Sequence, residues 1–299
     1  MKTRKKGNQF ELVIPDNWKN VTIETILREY WEAPKKLIHS MRMEKDIRVN
    51  GELIPWTDPL SAGDLLQLHL FKEVEYDVSP TYGEIEVLFE DEHLIVVNKP
   101  AGIDTHPNHP GETDTLANLV AFHHQSHGES CRVLHIHRLD HDTSGAIIFA
   151  KHPLSKAILD RLLAERKIKR TYHALVHGRL KQKKGTISEP IGRDRHHNTR
   201  RRVSPSGQDA VTHYQVMENR NPYTLVEVQL DTGRTHQIRV HMSHLGHPLA
   251  GDTLYGGRPV FKRQALHAAR ISFPHPLTDE KIECEAACMD DVGLGDWRT

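Results

Sequence analysis

Apolar positions along the chain follow two different spacings. Between about Val21 and Phe71 they first recur at helical intervals, at Ile23, Ile26, Leu27 and Tyr30, and do so again after Pro34 at Leu37, Ile38 and Met41. The string Ile47-Arg-Val-Asn-Gly-Glu-Leu-Ile54 then predicts two short strands around an Asn-Gly turn, a dipeptide that accepts the positive φ of a tight hairpin. Gly63-Asp64 marks another turn, and Leu66, Leu68 and Leu70 alternate as a strand does. The expectation is a small helix-hairpin module. Lys72 to Gly83 holds Pro80, several charges and no periodicity, so it reads as a linker.

From Glu84 onward the pattern is mostly strands with interspersed helices. Val87-Leu-Phe-Glu, Leu94-Ile-Val-Val-Asn98 and Gly145-Ala-Ile-Ile-Phe-Ala150 predict buried strands. Leu154 to Lys167 has helical spacing, Thr171 to Val176 and Tyr223 to Leu230 read as strands, and Gln237 to Leu245 as a short helix. Strands and helices do not alternate regularly and no internal repeat occurs, which selects an α+β domain with a mixed sheet. The expected division is 1–72, a linker at 73–83, and a catalytic-type domain at 84–299.

Composition adds bounds. The 299 residues are 37% hydrophobic and 27% charged, as in an ordinary globular chain with room for one large and one small domain. No apolar run approaches the roughly 20 residues of a membrane helix. The basic start, Met1-Lys-Thr-Arg-Lys-Lys, lacks an apolar signal core. Cys131, Cys284 and Cys288 form neither a CxxC pair nor a disulfide framework, so a reduced, cytoplasmic setting is expected, with no membrane partner.

The formal net charge of zero argues mildly against a nucleic-acid partner. The charge is unevenly placed, however: Arg161 to Arg202 carries fourteen Lys or Arg against three acids. A stretch so basic is a candidate phosphate-binding surface, with Lys183, Lys184, Arg200, Arg201 and Arg202 as candidate contacts. Charge alone does not separate this from a solvated loop and helix face.

Polar residues concentrate at two strand ends. The first segment is His137-Arg-Leu-Asp140-His-Asp-Thr143-Ser-Gly145. Turn formation accounts for Thr143, Ser144 and Gly145, but it does not require Arg138, Asp140 or the histidines. The second is Asp231-Thr-Gly-Arg234-Thr-His-Gln-Ile-Arg239. Arg234 and Arg239 differ by five positions, so they share no strand face and lie about 140° apart on a helix. They should serve different partners. Two such strand ends in one domain suggest a shared pocket. A third segment, Lys167-Ile-Lys-Arg-Thr-Tyr172-His-Ala174, places Tyr172 on a strand, where spacing alone makes it a core residue.

In order and spacing, these strings resemble the RluA family of pseudouridine synthases. The resemblance rests on His137-Arg-Leu-Asp-x-x-Thr-Ser-Gly145, Tyr172 and Thr232-Gly-Arg-Thr-His-Gln-Ile-Arg239. Asn98-Lys-Pro-Ala-Gly102, Gly207 to Tyr214, Gly251-Asp-Thr-Leu-Tyr-Gly256, Leu266-His-Ala-Ala and Phe273-Pro-His-Pro276 extend it over roughly 84 to 290. Gln208 stands where a lysine is common. The first 72 residues are similar to the small RNA-binding module of a ribosomal protein, tyrosyl-tRNA synthetases and many pseudouridine synthases. One departure is Glu44-Lys-Asp-Ile47, in place of a Gly-x-Val step.

The resemblance implies a mixed, largely antiparallel sheet flanked by helices and loops. It also implies isomerisation of uridine in structured RNA, with ribosomal RNA favoured over tRNA and a monomer as the default. No cofactor or metal is implied, because every heavy atom of the base is kept. Asp140 would be the catalytic carboxylate, removing a proton at C2′ or attacking C1′ or C6. Arg239 would hold it charged as a bidentate guanidinium. Tyr172 would stack on uracil, Arg138 would fill the space of the extruded nucleotide, and Thr143, Arg234, Thr235, His236 and Ile238 would contact substrate. Two rival readings stand beside it. The 23 histidines raise a metal-dependent hydrolase, although no HExxH occurs. A non-catalytic RNA-binding or ribosome-assembly factor is the other.

Overall fold

The small module starts earlier than its helical spacing indicates. In the computed structural model, which describes residues 2–288 and 290–294, the basic start is a strand, β1 (Thr3–Lys6), turned at Gly7-Asn8 into β2 (Gln9–Val13). Phe10 and Leu12 on β2 are fully buried. The alternation Phe10-Glu-Leu12 after a Gly-Asn turn is the signal that reading the start only for charge overlooks. α1 (Ile23–Thr25) is capped by Thr22, whose hydroxyl accepts the Thr25 N–H at 3.1 Å, and runs on as a wide helical turn, Ile26–Tyr30. α2 (Lys35–Met43) starts after Pro34 and buries Ile38 and Met41.

Asn50 and Gly51 take positive φ of 51° and 88°, as a tight turn requires, but the expected return strand does not form. Glu52 makes one bridge to Val49, and Leu53 stays 45% exposed. The partner of β3 (Ile47–Val49) is instead β4 (Leu65–Leu68), whose Leu66 and Leu68 supply the core contacts Leu53 cannot. The sheet order is β1-β2-β4-β3.

Residues 72–83 have no regular structure yet are tethered. The Val74 N–H donates to Ser130 Oγ at 3.1 Å, the Tyr76 hydroxyl donates to the Glu129 carbonyl, and the Thr81 N–H donates to the Asn118 carbonyl at 3.1 Å.

The large sheet is built from β5 (Glu86–Glu90), β6 (Leu94–Lys99), β7 (Leu134–His135), β8 (Ser144–Ala150), β9 (Lys169–His177) and β10 (Lys184–Ile187). A separate hairpin, β11 (Ile191–Arg193) with β12 (Arg201–Val203), precedes β13 (Thr212–Arg220), β14 (Tyr223–Leu230), β15 (Leu266–Pro274) and β16 (Lys281–Glu285). The order is β10-β13-β14-β9-β15-β8-β6-β5, with β16 beside β15 and β7 beside β8. Only β15 and β8 pair in parallel among the described residues, so the sheet is mixed and largely antiparallel. β5 lies at the edge and is half-exposed rather than buried, because a sheet edge lacks a second neighbour.

Three helices cover this sheet: α3 (Leu116–Ser126), α4 (Pro153–Ala164) and α5 (Gln237–His244). α3 was not legible from spacing. It begins in a reciprocal cap between Thr115 and Asn118. α4 stops at Ala164, short of Lys167, since Arg166 turns to a φ of 59°. Alternation along β6 divides the core. Leu94 and Val96 pack toward the N-terminal module with Phe10, Leu12, Ile148 and Phe273, whereas Ile95 and Val97 pack toward α3. Between the two sheets lie His93 and His152, with ring nitrogens 2.9 Å apart, against Phe10 and Phe71. The module and the large sheet share one apolar core.

Candidate active site

Two loops from opposite halves of the large sheet meet across a cavity of about 1050 Å³. The first runs from His137 into β8, and the second from β14 into α5. β15, lying between β9 and β8, brings the halves together, and its parallel pairing with β8 matches His267 to Ser144 and Ala268 to Gly145. Gly145 has a φ of 120°, and a Cβ there would lie 2.3 Å from the Ala268 carbonyl oxygen, so only glycine fits this crossing.

The loop carrying Asp140 is tied down on both sides. The Thr143 N–H donates to the Asp140 carbonyl at 2.9 Å, closing a turn. The Lys99 ammonium, fully buried, donates to the His141 and Pro100 carbonyls, each at 2.9 Å. Burial lowers the Lys99 pKa to about 8, with Asp104, Asp142 and Asp140 opposing that fall. From the other side the Arg263 guanidinium donates to the Asp142 carbonyl at 3.1 Å.

Asp140 keeps 24% of its side chain exposed and lines the cavity, so it is an accessible carboxylate rather than a buried one. Arg239 reaches it across 99 positions of sequence, with Nη1–H donating to Oδ2 at 3.2 Å. The expected two-point grip exists, but on another acid. Arg239 Nε–H and Nη2–H donate to the two Asp252 oxygens at 2.8 and 2.9 Å, and Asp140 receives a single bond. The guanidinium has five N–H donors, enough to serve both. Asp252 stands in the string Gly251 to Gly256, which carried part of the resemblance without a role being drawn from it.

Most of the remaining predicted residues converge here. Tyr172, Arg138, Thr143, Arg234, Thr235, His236 and Ile238 all line the cavity. Tyr172, on β9, is 4% exposed, and burial raises its hydroxyl pKa. Arg138 is exposed at the rim. Arg234 and Arg239 do serve different partners: the Arg234 Nε–H donates to the Asp209 carbonyl at 2.9 Å. Thr143 Oγ1 accepts from Gln264 at 3.3 Å. His236 precedes α5 with a φ of 59°, and its Nδ1 lies 2.8 Å from the Tyr255 hydroxyl.

The basic segment is less uniform than its composition. Arg201 lines the cavity and Arg202 is exposed beside it on β12. Arg200 is held by Asp194 at 2.6 Å. Lys183 and Lys184 are exposed at the start of the edge strand β10 and do not line the cavity. Two further residues line it that no periodicity marked. His137 and Arg170 are 6% and 8% exposed, and both His137 ring nitrogens and Arg170 Nε lack a hydrogen-bond partner. Burial, then the charge of Arg170, lowers the His137 pKa to about 3, so this imidazole is neutral.

Histidines also gather away from this cavity. His124, Glu129 and Cys131 bring three potential metal-ligand atoms within 4.8 Å of one another. A cation already occupies the carboxylates there: Lys151 Nζ lies 2.7 Å from Glu129 and 2.8 Å from Glu90. Burial pushes the Cys131 thiol up to about 12, which keeps it protonated.

Comparison with known proteins gives consistent results. The family model described as RNA pseudouridylate synthase matches residues 93–244, and that described as the RluD ribosomal pseudouridine synthase N-terminal domain matches residues 10–66. The chain is 50% identical over 290 residues to the uncharacterized RNA pseudouridine synthase YhcT of Bacillus subtilis, covering 96% of each. It is 34% identical over 302 residues to ribosomal large subunit pseudouridine synthase D of Xylella fastidiosa, covering 96% of this chain and 91% of that one. Among solved structures it is similar to human RNA pseudouridylate synthase domain containing 1, with a TM-score of 0.54, 28% identity, and coverage of 71% and 86%.

Proposed function

Since the chain belongs to the RNA pseudouridylate synthase family, we propose that it isomerises a uridine of large-subunit ribosomal RNA with Asp140 as the catalytic group. The observation that carries this reading is the Asp140 carboxylate, open to the cavity and bonded at 3.2 Å to Arg239. The reaction breaks the N1–C1′ bond, rotates the base, joins C5 to C1′, releases the C5 hydrogen as a proton and leaves N1 to take one up. Every heavy atom of the nucleoside is kept, so the reaction calls for no co-substrate and no energy source. An ionised carboxylate suits either removal of the C2′ proton or attack on the sugar or base. Arg239 donates to one of its oxygens and so helps to orient it.

Tyr172, buried at the cavity wall with its hydroxyl protonated, offers its ring for stacking on uracil. Arg138, exposed at the rim, would fill the gap an extruded nucleotide leaves or grip its phosphates. Thr143, Arg234, Thr235, His236 and Ile238 complete the wall. Arg201 and Arg202, and more remotely Lys183 and Lys184, would hold phosphates, which positions RNA without reading its sequence. Ribosomal RNA is favoured over tRNA because the relative from Xylella is named for the large ribosomal subunit and an N-terminal module of that type is present. We take the working unit to be two domains, 1–72 and 84–299, acting as a monomer in the cytoplasm.

Asp140→Asn tests the assignment. The variant is expected to bind RNA within about threefold of wild type while forming no pseudouridine, since only the charge is removed. Tritium release from C5-labelled RNA measures the product, and appreciable release by the variant would refute the role of Asp140. Mapping pseudouridines in RNA from cells with and without the protein identifies the target. A missing modification in tRNA alone would move the substrate to that class.

A further inference from the structure

Asp252 and Tyr255 lie on one short turn, a 3-10 turn at Thr253–Tyr255 with Asp252 before it, and neither lines the cavity. Resting on the reading of Asp140 as the catalytic group, we propose that this turn positions the two donors facing that carboxylate. Asp252 aims the Arg239 guanidinium, and Tyr255 decides which nitrogen of His236 carries its proton.

The case for Asp252 is geometric. It is 2% exposed and takes Arg239 Nε–H and Nη2–H at 2.8 and 2.9 Å, a two-point grip that fixes the plane of the guanidinium. The Tyr255 ring lies beside the same group, 5.0 Å from its central carbon. With these contacts in place, Nη1 lies 3.2 Å from Asp140 Oδ2. A guanidinium held by Asp140 alone would be free to rotate about that one bond.

The case for Tyr255 follows from counting protons. Its hydroxyl oxygen accepts the Arg201 backbone N–H at 2.9 Å, and a backbone amide can only donate. We take the hydroxyl proton to go to His236 Nδ1, 2.8 Å away, its one side-chain acceptor within hydrogen-bond distance among the described residues. Burial keeps Tyr255 protonated, lifting its pKa to about 12, and burial lowers that of His236, so the imidazole is neutral. A neutral ring that accepts at Nδ1 must carry its proton on Nε2. That nitrogen lies 3.9 Å from Asp140 Oδ2, too far for a hydrogen bond. The Nε2–H is thus left pointing into the space a substrate oxygen would enter.

The test compares Asp252→Asn, Asp252→Ala and Tyr255→Phe with Asp140→Asn in the full-length protein. Asp252→Asn and Tyr255→Phe are expected to lower kcat by about 10–100-fold with KM for RNA changed less than about threefold, the pattern of a misplaced donor rather than lost binding. Added formate is expected to restore part of the turnover of Asp252→Ala by refilling the carboxylate position. In 15N NMR, the wild-type His236 should show a bare Nδ1 and a protonated Nε2, and Tyr255→Phe should mix the two tautomers while keeping the ring that packs on Arg239. Wild-type turnover in both Asp252→Asn and Tyr255→Phe, or a wild-type His236 protonated on Nδ1, overturns the positioning role while an inactive Asp140→Asn leaves the main reading standing. Turnover by Asp140→Asn overturns that reading instead.

Discussion

Single residues account for most of what makes the site possible, and Gly145 shows how little slack it has. With a φ of 120° and backbone of Ala268 2.3–2.7 Å from any added Cβ, Gly145→Ala should cost roughly 3 kcal/mol or more. Gly128 is the control. Its φ is 71° with nothing within 4 Å, so Gly128→Ala should cost only about 1–2 kcal/mol. Denaturant midpoints measure both, and equal losses would show that the β8–β15 crossing tolerates a side chain. At this scale the sequence was informative where chemistry is carried by unusual residues in tight strings. Asp140, Arg239 and Tyr172 could be named from such strings, and they meet at one cavity. Asp252 stood in a quoted string, yet its grip on Arg239 depends on a contact that no spacing encodes. His137 was visible as a letter, but its burial without a partner belongs to the fold.

At the scale of elements, long runs with strong alternation were legible: β8, β9 and β14 lie where apolar spacing puts them. Boundaries set by competition were not. The segment after Gly51 reads as a strand, but β4 fills the place beside β3 with better core residues. The basic stretch shows the same limit, because neighbours decide which of its cations are available. On the β11–β12 hairpin, Arg200 is neutralised by Asp194, whereas among the described residues neither Arg201 nor Arg202 forms an ion pair with an acid. Arg200→Gln should therefore leave the salt dependence of RNA binding almost unchanged. Replacing Arg201 and Arg202 together with glutamine should reduce the slope of log K against log salt by about 1.5. Binding titrations across a salt series provide the measurement, and an unaltered slope in the double variant would place the phosphates elsewhere.

Across the whole molecule, neutral buried histidines tie stability to pH. His93, between the N-terminal sheet and the large one, is pushed down to about 3 mainly by burial, and His152 beside it also lies well below its ordinary value of 6.5. The unfolded chain takes up protons near 6.5 that the folded chain refuses, so this stabilisation is complete above that pH and declines as pH falls toward 3. The histidine contribution should show between about pH 6.5 and 5, before most carboxylates titrate. Thermal melts over that window should give a falling Tm, and a constant Tm would mean that these rings are not sealed from solvent.

The placement of β15 in mid-sheet has a consequence in time. The chain reaches this strand after both halves have been made, and among the described residues it is β15 that joins the half bearing Asp140 and the half bearing Arg239 into one sheet. A polypeptide still being translated can have Asp140 and Arg239 both outside the ribosome and remain inert. Competence would switch on once this keystone slides between its neighbours.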